Sequence, residues 1–227
     1  MKKQTILSAH RDSDERVVIH VVPEPGKDNK IIKYAAVIGG ISWPTEYSPL
    51  YFCVMGKLWN EESRRSNQEE KKGNLVFLDE HESNSLSLDE GINKLTDSAK
   101  RFYCDRFYTN IGEAFAGYIE SFQGYVTRNK IKDPRPSLQE APYNDDFLFG
   151  VKLVKDWERE KRIEIPEDSI AYKQLKPITM EHLKDKPEVN FYAVNALRFV
   201  MGAFFKFTFG PGLPPRRKMP GESFMTA

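Results

Sequence analysis

From Ile31 to Ile41 the chain is almost continuously apolar and rich in β-branched and small residues, the pattern of a strand buried on both faces. The turn-forming run Gly39-Gly40-Ile41-Ser42-Trp43-Pro44 ends it. A second apolar run, Leu50 to Leu58, is close enough in sequence to be its antiparallel hairpin partner. The charged stretch Asn60 to Lys72 that follows predicts a solvated loop, and Asn74 to Leu78 a short third strand.

The rhythm then changes. Ser87-Leu88-Asp89-Glu90 has the form of a capping box, and Ile92, Leu95 and Ala99 fall on one helical face behind it. Arg101 to Arg106 predicts a fourth strand, ending at Asp105. Helices are predicted over Ile111 to Tyr125, Asp145 to Arg162 and Val189 to Phe207. The last carries Val189, Ala193, Ala196, Leu197, Val200, Met201 and Phe204 at spacings of three and four, a broad core-facing stripe. Lys130 to Pro136 holds two prolines and predicts a loop, while Ile163-Glu164-Ile165-Pro166 reads as a short edge strand or a turn.

At the ends the pattern weakens. Residues 1–30 form an N-terminal arm with one expected strand, Val17 to Val22, stopped by Pro23-Glu24-Pro25-Gly26. Residues 210–227 form a basic tail too rich in Pro and Gly to fold alone. Between them, residues 31–209 are expected to form one domain, and 227 residues suffice for a sizeable core.

Charge and chemistry narrow the function classes. Lys+Arg number 34 against 33 Asp+Glu, so a formal net charge of +1 leaves room only for a local basic patch. No apolar run approaches the roughly 20 residues of a membrane span, and Met1-Lys2-Lys3-Gln4 opens no secretion signal, so no membrane partner and a cytoplasmic location are expected. Cys53 and Cys104 read as reduced core thiols, and His10, His20, His81 and His182 show no ligand spacing. No Gly-rich phosphate loop marks an ATPase, and no Gly-x-Ser-x-Gly marks an acyl-transfer enzyme.

Three hairpin-ordered strands, a helix and a further strand, followed by helices, give an α/β fold with a mixed sheet flanked by helices, as in the ribonuclease H arrangement. Within that class, residues 31 to 207 resemble the nuclease domain of phage terminase large subunits. The resemblance is carried by Gly40-Ile41-Ser42 with Glu46-Tyr47-Ser48, by Tyr103-Cys104-Asp105, and by Tyr192-Ala193-Val194-Asn195-Ala196-Leu197-Arg198-Phe199. A helix shaped like Val151 to Trp157 and an Ile-x-Ile-Pro run agree with it.

The resemblance implies a two-metal site holding Mg or Mn between carboxylates, with ligands at Ser42, Asp105 and Asn195. These positions offer one anion where the family pattern has three. Hydrolysis is then expected to be lost or nearly lost, leaving a structural or DNA-guiding role in packaging. Double-stranded DNA and a separate packaging ATPase or portal protein would be the partners. An active nuclease or resolvase remains the alternative, using Asp105 with Glu46 or Asp79, while Glu80, Asp185 and Glu188 are further carboxylates within reach of the same elements. A third reading keeps the fold for protein contacts alone, through Phe204, Phe205, Phe207 and Phe209.

Overall fold

The computed structural model describes residues 5–22, 28–59, 74–83, 88–179 and 191–209, with side chains to residue 206. The sheet is built around one long strand, β3 (Lys30–Ser42). Its residues change from mostly exposed to wholly buried along its length, so its second half is the molecular centre. On one side it pairs antiparallel with β4 (Leu50–Leu58), which pairs with β5 (Leu75–Ser83), which takes a two-residue parallel edge strand, β8 (Ile163–Glu164).

The other side of β3 is shared by two pairs of strands. Its first half pairs with β2 (Val17–Val22), itself paired with β1 (Thr5–Arg11). Its second half pairs in parallel with β6 (Arg106–Thr109), which pairs in parallel with β7 (Ser137–Glu140). The order β5-β4-β3-β6-β7, with only β4 antiparallel to β3, β6 and β7, is the ribonuclease H-like arrangement. The N-terminal hairpin therefore extends the same sheet and has two strands, where the sequence pattern predicts one. Thr5 to Arg11 is an exposed edge with no apolar run to reveal it.

Helices cover both faces. α1 (Leu88–Phe102) and α2 (Ala116–Arg128) pack on one, burying Ile92, Leu95, Phe102, Phe122 and Val126 against Val37, Ile41 and Val54. Acidic Asp89 and Glu90 in the first turn of α1 and basic Lys100 and Arg101 in its last match the helix dipole. Ser87, the expected cap, lies outside the described residues. α3 (Phe147–Arg159), α4 (Ile170–Leu175) and α5 (Tyr192–Phe209) cover the other face, over Ile38, Tyr51, Cys53 and Met55. The side chains of Asp146 and Ser169 accept from the Phe149 and Tyr172 amides and so start α3 and α4.

The fourth strand corrects the sequence reading. α1 continues through Phe102, Tyr103 turns the chain with a left-handed φ of 53°, and the strand begins only at Arg106. Asp105 thus precedes the strand. The charged loop Asn60–Lys72, the tail and Val189 lie outside the described residues.

At the centre, β3 is squeezed between layers. A Cβ on Gly39 would stand 2.2 Å from the Phe107 ring, and one on Gly40 2.1 Å from the Ala196 carbonyl of α5. The two glycines let a strand ring and a helix backbone touch the strand from opposite faces. Gly40→Ala is expected to destabilise by about 3 kcal/mol or more, since the obstacle is helix backbone, and equilibrium urea unfolding would measure it. Cys53 and Cys104 are fully buried, and burial pushes both thiols well above their ordinary range. Both are expected to resist a thiol reagent until the protein unfolds.

Candidate functional site

Three loops leave the same end of the sheet. β3, β6 and β7 run in parallel, so residues 43–49, 110–116 and 141–146, which follow them, share one rim. The first residues of α5 cross over that rim. Tyr192 meets the Tyr51 ring at 5.9 Å, and Ala196 lies on Gly40, two residues before Ser42 on the same face of β3. Ser42 and Asn195 are therefore carried by β3 and α5, the two elements that meet at Gly40 and Ala196 and bound the candidate pocket at this rim.

Asp105 is not. Gly39 is level with Phe107, which sets Asp105 level with Val37, at the far end of β6. Five residues of strand, about 16 Å, separate that level from Ser42. There Asp105 accepts a 2.8 Å bond from Arg11 Nη2 and a longer one, at 3.4 Å, from Arg106 Nε. Arg11 also lies over the Tyr103 ring. Asp105 is the latch between the N-terminal hairpin and the α1–β6 joint.

Continued one residue past β6, the same register sets Asn110 level with Ser42, following Tyr108 on the α5 face of the alternation. Its Oδ1 accepts from the Gly112 amide at 2.9 Å, and Thr109 before it donates to the Ile41 carbonyl at 2.9 Å. The sequence reading misses Asn110 because it places the strand four residues early. Phe107-Tyr108-Thr109, aromatic and β-branched, is the signal that marks the true strand.

The other acidic candidates fall elsewhere. Glu46 is exposed in the tight turn closed by Thr45 and Ser48. Asp79 points to the opposite face of the sheet, where Ser98 of α1 donates to it at 2.7 Å. Glu80 faces α5 but is fully engaged, taking the Tyr51 hydroxyl at 2.7 Å and the Ile170 amide at 3.0 Å, at the start of α4. Glu82, beside it, accepts from the Tyr192 hydroxyl. Burial first, and that carboxylate second, push the Tyr192 phenol up to about 12. Asp185 and Glu188 lie outside the described residues.

A buried cation stands beside Asn195. Arg198, 3% exposed, donates from Nε to Asn195 Oδ1 at 2.7 Å and from Nη1 to the Tyr143 carbonyl at 3.3 Å. Its guanidinium lies over the Phe147 and Phe199 rings at 5.1 and 4.6 Å. The donor set of Ser42, Asn110 and Asn195 is neutral, and the Asn195 oxygen is already held by a guanidinium. Like charges 4 Å apart repel by about 4 kcal/mol per unit charge at an effective dielectric near 20, so these residues do not fit a pair of dications. Among the described residues no group of three or more His, Cys, Asp and Glu could share a metal ion.

The four phenylalanines of the third reading are not a contact surface as far as they are described. Phe204 is buried and Phe205 packs edge-on against Tyr143 and Phe149. The side chains of Phe207 and Phe209 lie beyond those the structure describes.

The strand order and helix layers define a ribonuclease H-like domain. No family model and no curated protein matches the chain. Among solved structures, it is similar to the nuclease domain of the g2p large terminase of bacteriophage SPP1, crystallised with bound Mn. That match has 13% identity and a TM-score of 0.46, covering 73% of this chain and 85% of the other. It is also similar to the large terminase nuclease of thermophilic phage G20c, at 10% identity and a TM-score of 0.46, covering 84% and 90%. The latter has also been crystallised with bound zinc and with bound magnesium. Likeness this distant adds nothing to the assignment made from the strand order.

Asp105→Asn is expected to cost less than about 1 kcal/mol, because both partners of its pair with Arg11 are partly exposed, at 34% and 24%. Its larger effect should be faster amide hydrogen exchange across Thr5–Val22 as the hairpin loosens, with the pocket amides unchanged.

Proposed function

We propose that this chain is a terminase-nuclease-like domain that does not carry out two-metal hydrolysis and serves as a structural or DNA-guiding component of phage or prophage DNA packaging. The observation that supports the reading is the donor set on the elements bounding the candidate pocket: Ser42 at the end of β3, Asn110 just past β6, and an Asn195 whose oxygen is held by the buried Arg198. Two-metal phosphodiester cleavage needs anionic oxygens that neutralise both ions and lower the pKa of the attacking water. A hydroxyl and two amides neutralise neither. The proposed partners are double-stranded DNA and a separate packaging ATPase or portal protein, with the domain acting in the host cytoplasm.

A second reading has one specific observation behind it. Glu82 lies on the pocket side of β5, hydrogen-bonded by Tyr192 at the head of α5, and could supply a single anionic ligand. One carboxylate supports at most weak, one-metal cleavage.

Incubation of the purified protein with supercoiled plasmid and millimolar Mn or Mg tests both. The expected outcome is no nicking above a metal-free control. Metal-dependent nicking that disappears in Glu82→Gln would overturn the inactive reading in favour of the second.

A further inference from the structure

The charges along β6 and β7 are segregated by end. The three loops of the pocket rim, residues 43–49, 110–116 and 141–146, contain Glu46, Glu113, Asp145 and Asp146, all exposed, and neither Lys nor Arg. At the other end of the same strands, residues 100–106 and 128–136 contain seven Lys and Arg against two Asp. Lys100, Arg101, Arg128, Lys130, Lys132 and Arg135 are all exposed.

The two basic segments form one surface. The Tyr103 hydroxyl donates to Asp133 Oδ1, which ties the end of α1 to the α2–β7 loop. Lys100 and Arg101 lie within three residues of Tyr103, and Lys132 and Arg135 within two of Asp133. The Ser137 amide donates to the Asp105 carbonyl at 2.9 Å, closing the same junction from below. Ile131 is buried in the core, so the loop between the cations is anchored. Both Asp residues are engaged within the fold, Asp105 by Arg11 and Asp133 by Tyr103. The adjoining turn commits its own acids as well, with Asp12 and Asp14 on Arg16 and Glu15 on Arg11.

The geometry points to this surface, formed by the end of α1 and the α2–β7 loop, as a docking site for the phosphate backbone of duplex DNA. Helix-end cations alone would be ordinary complements to the dipole. Here they converge from two helix ends and a loop, while the opposite rim is acidic throughout, so a polyanion is drawn to one end and repelled from the other. An anionic membrane fits less well, because interfacial binding needs apolar insertion. Among the described residues the exposed large hydrophobic ones, Leu7, Ile31, Tyr47, Ile111 and Leu148, all lie outside the two segments. DNA held there would be separated from the pocket by the length of β6 and β7, about 13 Å. The inference rests on the DNA-guiding reading and gives it a place on the molecule.

The test is retention of a 30-base-pair duplex by the full chain across a salt titration from about 50 to 200 mM. The variants are K130E/K132E/R135E and, at the pocket rim, E113K/D145K, each first checked for an unchanged melting temperature. The basic-end variant is expected to bind at least about tenfold more weakly, with a salt slope shallower by about 2 to 3, since each lost phosphate contact removes about 0.9. The rim variant should stay within about twofold of the parent. Equal binding by parent and K130E/K132E/R135E, or a rim effect as large as the basic-end effect, overturns the surface assignment while leaving DNA guiding intact. A parent that is captured by phosphatidylserine vesicles and not by DNA overturns both.

Discussion

The contact on which the rest of the structure depends is the one between α5 and β3. The Ala196 carbonyl rests where a side chain on Gly40 would be, so helix and strand approach as closely as two backbones can. That approach brings the turn of α5 that carries Asn195 against the end of β3 that carries Ser42. It also lowers α5 until Arg198 reaches across to the Tyr143 carbonyl and the Phe147 ring. Gly150 of α3 completes the arrangement, since a Cβ there would stand 2.8 Å from the Arg198 stem. Elements distant in sequence thus meet around one buried guanidinium.

Much of this is legible in the amino-acid sequence. The run Ile31 to Ile41 and the run Leu50 to Leu58 correspond closely to β3 and β4, because strands buried on both faces carry an unbroken apolar signal. The stripe on α5 is equally plain. What the pattern hides lies at the edges. β1 and β7 present exposed and half-exposed residues, Ser137-Leu138-Gln139-Glu140 among them, and α4 is a six-residue helix held mainly by its cap and by Glu80. Such elements are specified by tertiary partners rather than by periodicity.

The site was half legible for a related reason. Ser42 and Asn195 belong to β3 and α5, elements whose apolar patterns are strong enough to mark them in the sequence. Asp105 sits where a helix gives way to a strand, and boundaries are the weakest part of any pattern reading. The left-handed turn at Tyr103 moves the strand start to Arg106, and a shift of that size carries Asp105 to the opposite end of the sheet. The carboxylate matched to the family motif is a structural latch, and Asn110 stands level with Ser42 instead.

The forked edge of β3 has its own consequence. β3 is 13 residues long and β6 only four, so β6 can shield just part of that side. The β1–β2 hairpin fills the remainder and is locked end-on against the α1–β6 joint by Arg11 and Asp105. A fragment trimmed to begin at β3, the natural choice for anyone seeking a minimal domain, would bare a run of unpaired backbone amides and carbonyls beside Ile31 and Ile32. Open strand edges of that kind recruit strands from other molecules. Residues 5–22 thus cover a strand edge that would otherwise stand open.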